Sequence, residues 1–184
     1  GDSVQVFVGD IDVDIFVQSD GDGPLELAGL LATGETTVRE RHPTRDHTER
    51  AFPVFGVEPT RHAGAITVQG GRRLRGTSLT VPGDASSAAF WAAAAAALPH
   101  SDVTLDDVGL NPTRIGYLSL LERIGAQVEL LGTTETGGEP RGSLRVRHGG
   151  NARLDLGPDD VPGVIDELPV LAALATHGGE LRVT

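Results

Sequence analysis

The basic residues of this chain are all arginines: there are 15, and neither Lys nor Cys occurs anywhere. That removes whole classes of chemistry. Schiff bases, Walker-type lysines, thiolate nucleophiles, disulfides and Cys-ligated zinc are all excluded. Anions must instead be met by guanidinium groups, backbone N–H groups or helix N-termini. The 6 His residues show no metal-ligand spacing, so no metal is expected; no cofactor is expected either. Asp84, Ser86 and Ser87 stand at the head of an Ala-rich run. A helix start of that kind can hold an anion, but N-capping is the simpler expectation. Arg72, Arg73 and Arg75 form a small basic cluster and read as a solvated connector. Arg114 is expected to be structural, in a first helical turn, and Glu122 to be solvated.

The elements that position these residues follow one grammar. An apolar helix-like run, a small polar turn and a β-prone run recur three times. They are Leu25 to Ala32 with Glu35 to Val38, Ala88 to Leu98 with Asp102 to Leu105, and Leu168 to Thr176 with Glu180 to Val183. A second helix follows in the first two copies and ends at Gly56 and Gly125. Those glycines are about 69 positions apart, and the turns at Gly34 and Ser101 about 67, which predicts an internal repeat. Further strands are predicted at Val4 to Val8, Asp12 to Val17, Ala65 to Gln69, Ser78 to Val81, Gln127 to Leu131 and Ser143 to Val146. Each repeat then reads βαβαββ, an α/β class, with a lobe boundary at the connector near residues 72 and 73.

Local signals set the helix ends. Asn111-Pro112 reads as N-cap and first helical residue. Tyr117, Leu120, Leu121 and Ile124 then make one apolar stripe closed by Gly125. Asp46 with Glu49 resembles a capping box, and Pro53 should kink or shorten its helix.

At 39% apolar and 22% charged residues the chain is expected to be a soluble globular protein. With only 4% aromatic residues, Ala, Leu and Val must build the core. A net charge of −11 argues against nucleic-acid binding, because the phosphate backbone repels such a surface. The longest apolar run, Ala88 to Leu98, is too short to span a bilayer. The first residues have no signal-type stretch, so the expected compartment is the cytoplasm. Met is absent as well, which fits a removed initiator or a piece of a longer chain.

Five ordered motifs carry a resemblance. They are Gly34-Glu35-Thr36-Thr37-Val38, Thr44-Arg45-Asp46-His47-Thr48-Glu49-Arg50, Val81-Pro82-Gly83-Asp84-Ala85-Ser86-Ser87-Ala88-Ala89-Phe90, Gly109-Leu110-Asn111-Pro112-Thr113-Arg114 and Asp166-Glu167-Leu168-Pro169-Val170-Leu171. Together they resemble the 5-enolpyruvylshikimate-3-phosphate synthase family, also called 3-phosphoshikimate 1-carboxyvinyltransferase, from about Leu25 to the last residue. The resemblance implies an enolpyruvyl transferase fold, an inside-out α/β architecture of repeated βαβαββ units in two lobes. Residues 1–72 would be the last unit of the first lobe and residues 73–184 the start of the second. Family members are longer, so the chain resembles a central fragment. One departure stands out. Where the family has a Ser-Ala-Gln-x-Lys-Ser run, this chain has Gln18, Ser19, Asp20, Asp22 and Gly23. Carboxylates beside an anionic ligand cost affinity.

What the resemblance implies is carboxyvinyl transfer from phosphoenolpyruvate to the 5-hydroxyl of shikimate 3-phosphate, in chorismate and aromatic amino-acid biosynthesis. Asp166 matches the family's catalytic aspartate, and Arg45 a basic residue near the shikimate phosphate. Asp166 is expected at the start of an apolar helix, partly exposed and without a committed Arg partner. The fragment alone is expected to be inactive. A competing reading is a degenerate, non-catalytic domain of the same fold that serves as a scaffold or partner. The related transferase acting on UDP-N-acetylglucosamine fits less well, since it typically uses a reactive Cys.

Overall fold

The computed structural model describes residues 4–8, 11–15, 23–39, 45–149 and 153–184. Gln18, Ser19, Asp20, Asp22 and Thr44 lie outside the described residues. The chain divides into two compact units, Gly1–Leu79 and Thr80–Thr184.

The first unit runs β1 (Val4–Val8), β2 (Ile11–Ile15), α1 (Gly23–Gly29), β3 (Glu35–Arg39), α2 (His47–Val54), β4 (Thr60–His62) and β5 (Ala65–Gln69). Its strands form one antiparallel sheet in the order β2-β1-β3-β5-β4. Alternation decides which face of β3 is covered: Thr36 and Val38 are buried while Glu35 and Arg39 are exposed. Leu30, Phe52, Val57 and Val68 close the core between helices and sheet. The capping box expected at Asp46 does not form. The Asp46 side chain makes no cap hydrogen bond and pairs with Arg50 Nε at 2.8 Å. A guanidinium one turn along is the stronger attraction for this carboxylate.

The second unit runs α3 (Ala85–Ala97), β6 (Asp102–Gly109), α4 (Gly116–Arg123), β7 (Gln127–Thr136), β8 (Glu139–Arg147), β9 (Arg153–Leu156), α5 (Leu168–Ala175) and β10 (Glu180–Val183). β6, β8 and β7 form an antiparallel sheet in that order, and β9 pairs with β10 in parallel. Register stacks Val103, Val146 and Val128 in one row, and Leu105, Leu144 and Leu130 in the next. The opposite face carries Thr104, Arg145 and Glu129, so one face is apolar and the other charged. The apolar face receives α3, whose eight buried residues are all alanines. Alanine gives the helix high propensity and lets neighbours approach closely, so α3 can be packed by β6, β8, α4 and α5 at once.

The two units share one connectivity. In α1-β3-α2-β4-β5 the third strand lies between the first and second, and α3-β6-α4-β7-β8 repeats that order. The closing bonds match as well. Gly70 N–H donates to Gly34 C=O at 2.8 Å, and His148 N–H to Ser101 C=O at 3.1 Å. Both second helices end in the same paired bonds: Val57 to Phe52 with Gly56 to Pro53, and Ala126 to Leu121 with Gly125 to Glu122. That is a Schellman end, and Gly56 and Gly125 take the positive φ it requires, 83° and 94°.

Three local expectations are corrected. Ser78 to Val81 is irregular, and its neighbour Gly83 makes only an isolated bridge to Val108. Asn111 does not cap α4. Its Oδ1 accepts from Thr113 N–H and Oγ1, forming a turn that delays the helix to Gly116. The strands β4 and β9 were not expected; β4 is three exposed residues, and β9 is only Arg-Leu-Asp-Leu, with Leu154 and Leu156 buried.

Candidate active site in the second unit

Three segments far apart in sequence meet at the N-terminus of α3. The first is the helix start itself. Asp84 sits in extended conformation, and its carboxylate accepts from Ser86 N–H at 3.3 Å and Ser87 N–H at 2.8 Å. Ser87 Oγ donates to the same carboxylate at 2.7 Å. These bonds, the Ser87 hydroxyl foremost, hold the Asp84 carboxyl below the usual carboxylate range. The N–H groups that could have held an anion are therefore spent on Asp84, as the N-cap expectation required.

The second segment is the turn ahead of α4, which carries Arg114; the third is a 3-10 turn, Ile165–Glu167, that runs into α5. Ser86 Oγ donates to Glu167 Oε1 at 2.5 Å and accepts from Arg114 Nη2 at 2.6 Å. The other arm of the guanidinium, Nη1, lies 3.1 Å from Asp166 Oδ2. Asp166 and Glu167 are neighbours in one tight turn with opposite surroundings. Glu167 is buried, and Asp166 keeps 42% of its side-chain surface exposed. Tyr117 Oη is buried nearby with no hydrogen-bond partner among the described residues. Burial, then the charges of Glu167 and Asp84, push its phenol well above the ordinary value, so it stays protonated.

Asp166 is thus exposed as expected, but its expected lack of an Arg partner is corrected: Arg114 is that partner. Asp166 also precedes α5 rather than opening it, because Leu168-Pro169 starts the helix and the 3-10 turn absorbs the two acids. Arg114, expected to be structural in a helical turn, stands before the helix and links two of the motifs. No spacing in the sequence marks Glu167 and Ser86 as partners. The signal for them is that each falls inside one of the five motifs. Glu122 is exposed, as expected. Arg45 belongs to the first unit, where it is half-buried immediately before Asp46.

The chemistry available is that of a solvent-accessible carboxylate held by a guanidinium and backed by a buried acid. Such a group can exchange a proton with a bound molecule. Among the described residues, no helix is long and apolar enough to cross a membrane.

The family profile of EPSP synthase (3-phosphoshikimate 1-carboxyvinyltransferase) matches residues 21–181. The chain is 49% identical over 166 residues to the 3-phosphoshikimate 1-carboxyvinyltransferase of Xylella fastidiosa, covering 85% of this chain and 37% of that protein. It is 44% identical over 151 residues to that of Bacillus subtilis, covering 82% of this chain and 35% of the relative. A solved EPSP synthase from Acinetobacter baumannii superposes with a TM-score of 0.77 at 39% identity, over 87% of this chain and 36% of that one. The chain therefore spans a little over a third of the length of the curated relatives it matches.

Proposed function

Since the chain belongs to the EPSP synthase (3-phosphoshikimate 1-carboxyvinyltransferase) family, we propose that it supplies part of the site for carboxyvinyl transfer in the cytoplasm. The substrates are phosphoenolpyruvate and shikimate 3-phosphate. The 5-hydroxyl oxygen bonds to C2 of phosphoenolpyruvate and gives up its proton, while C3 takes one. Loss of a proton from C3 and of phosphate from C2 then restores the double bond. In this reading Asp166 moves a proton in these steps, and Arg45 meets the phosphate of shikimate 3-phosphate, for which a planar guanidinium is suited.

The observation that carries the reading is the convergence on Asp166. The Asp84-Ala85-Ser86, Thr113-Arg114 and Asp166-Glu167 motifs build one hydrogen-bonded network around a carboxylate with access to solvent. Two anionic substrates need several cations, and this chain has no Lys. Arg50, Arg114, Arg123 and Arg145 are each engaged with a carboxylate. The isolated 184 residues are therefore expected to turn nothing over, and the activity belongs to an enzyme at the length of the relatives.

The test uses such a full-length enzyme, with the part of this chain that matches the Bacillus subtilis relative over 151 residues replacing the corresponding region. Phosphate release and enolpyruvylshikimate phosphate are measured with both substrates. Asp166→Asn is expected to lower turnover by at least the ~100-fold typical of losing a general acid or base. Unchanged turnover removes Asp166 from the chemistry, whereas no turnover in the unsubstituted full-length enzyme favours a non-catalytic scaffold.

A further inference from the structure

We infer that Arg114 is a positioning residue for Asp166, and that Ser86 and the buried Glu167 are the anchor that holds Arg114 in place. The inference rests on the proposed role of Asp166 and adds to it the device that aims the carboxylate.

The contacts form a closed ring. Glu167 Oε1 accepts from Ser86 Oγ, which accepts from Arg114 Nη2, while Nη1 of the same guanidinium reaches Asp166 Oδ2. Asp166 returns to Glu167 through one peptide bond. Each link is stiff for its own reason. Glu167 is 4% exposed and cannot swing into water. Ser86 lies in the first turn of α3, where its backbone N–H is tied to Asp84. With its proton given to Glu167, the Ser86 oxygen has lone pairs to offer the arginine. The guanidinium is planar, so fixing Nη2 on Ser86 also fixes the direction of Nη1.

Burial falls along the ring from Glu167 through Arg114, at 14% side-chain exposure, to Asp166 at 42%. Rigidity therefore comes from the interior and is delivered to the most exposed member. Holding a reacting group in one orientation accelerates a bound reaction without adding affinity. A salt bridge that only joined two segments would contribute to folding alone. The two roles leave different kinetic signatures.

The experiment is a double-mutant cycle in the same full-length enzyme, with kcat and both KM values measured for Arg114→Ala, Asp166→Asn and the pair. A positioning role predicts that Arg114→Ala lowers kcat about tenfold, with each KM within about twofold. In the Asp166→Asn background Arg114→Ala should lower kcat no further, because there is no longer a carboxylate to aim. Arg114→Lys keeps the charge but loses the fork, and should stay within about threefold of Arg114→Ala. Recovery by Lys to wild-type turnover, or an equal further loss in the Asp166→Asn background, overturns the inference while leaving the proposed function standing. Unchanged turnover in Asp166→Asn alone overturns both. Should Arg114→Ala fail to fold, Ser86→Ala cuts the anchor and leaves the ion pair. It should then lower kcat by about threefold, again only when Asp166 is present.

Discussion

Ser86 Oγ and Glu167 Oε1 lie 2.5 Å apart although 81 positions separate them in the chain. The bond ties the first turn of the central helix to the turn that carries the candidate catalytic acid. It also gives a buried carboxylate its hydrogen-bond donor. Ser86→Ala removes that donor and leaves the acid under-satisfied, which costs about 1–3 kcal/mol. Urea unfolding should register that loss through Trp91, the single tryptophan, which sits on the same helix. A Ser86→Ala midpoint equal to that of the unsubstituted chain would show the bond to be dispensable.

Tyr117 supplies the opposite case. Its ring is fully buried among Leu120, Leu121 and the α3 alanines, yet its hydroxyl has no partner among the described residues. A buried, unpaired hydroxyl costs stability, and replacing it with an apolar group of the same shape removes that cost. Tyr117→Phe should therefore be neutral or stabilising by up to about 1 kcal/mol. Tyr117→Ala, which empties the space, should cost about 3–5 kcal/mol. Thermal melts of the two variants should move in opposite directions or differ strongly. A marked loss in Tyr117→Phe would reveal a bond that the fold depends on.

The pH dependence of stability should carry a contribution from Asp84. Its folded-state carboxyl is held below the usual range by Ser87 and the α3 N–H groups. A depressed folded value means that the stabilisation is present above the unfolded value, near 4, and is lost as pH falls through the folded one. At neutral pH, Asp84→Ala should cost the ~1 kcal/mol typical of an N-cap. The gap between wild type and Asp84→Ala should narrow as pH falls below the unfolded value and on through the lowered folded one. Asp84→Asn keeps a capping oxygen without the charge, so its stability should flatten across that window. Melts at a series of pH values check all three.

The sequence was most informative where a local rule and a tertiary contact ask for the same residue. Gly125 is needed by the helix end and closes the Tyr117 to Ile124 stripe, so its element was legible from residue types and spacing. Asp84 is the best available cap for an Ala-rich helix and does cap it. Asn111 misled because an Asn before Pro satisfies two rules, an N-cap and a turn. Its side chain serves Thr113 two residues on, and the helix waits until Gly116. Asp46 misled because capping competes with a nearby guanidinium, and Arg50 won. The ring at Asp166 was only half legible. The family resemblance pointed to Asp166, but a bond between positions 86 and 167 has no period and no spacing, and the packing of α5 against α3 creates it.

The repeat gives a prediction that sets the two units against each other. Gly56 and Gly125 hold the same left-handed position at the ends of α2 and α4. An L-residue there costs about 1–2 kcal/mol from its backbone alone. Their surroundings differ. A Cβ at Gly56 would meet the flexible Arg75 side chain at 3.2 Å, which can swing aside. A Cβ at Gly125 would meet the Gly149 carbonyl oxygen at 2.6 Å, and backbone cannot. Gly125→Ala should thus be clearly the more destabilising of the two when unfolding is followed by circular dichroism. Equal losses would mean that Gly149 shifts at no cost.

Asp166 and Glu167 carry the same charge one residue apart, so their amide variants separate chemistry from architecture. Asp166 is exposed, and its pair with Arg114 sits at the protein surface, where such pairs contribute about 0–1 kcal/mol. Asp166→Asn in the full-length enzyme should therefore leave the melting temperature nearly unchanged while turnover collapses. Glu167 is buried and anchors Ser86, so Glu167→Gln should act first on stability. The amide oxygen can still accept from Ser86, which limits the loss, but its NH2 group brings new donors into a site built for acceptors. Through the ring, a loosened anchor lets Arg114 and then Asp166 wander, so kcat should fall by several-fold rather than ~100-fold. Measuring kcat and melting temperature for both variants places them on a plane. Asp166→Asn should lie along the activity axis, and Glu167→Gln mainly along the stability axis. If the two exchange places, the buried acid performs the proton transfer and the exposed one is the structural member of the pair.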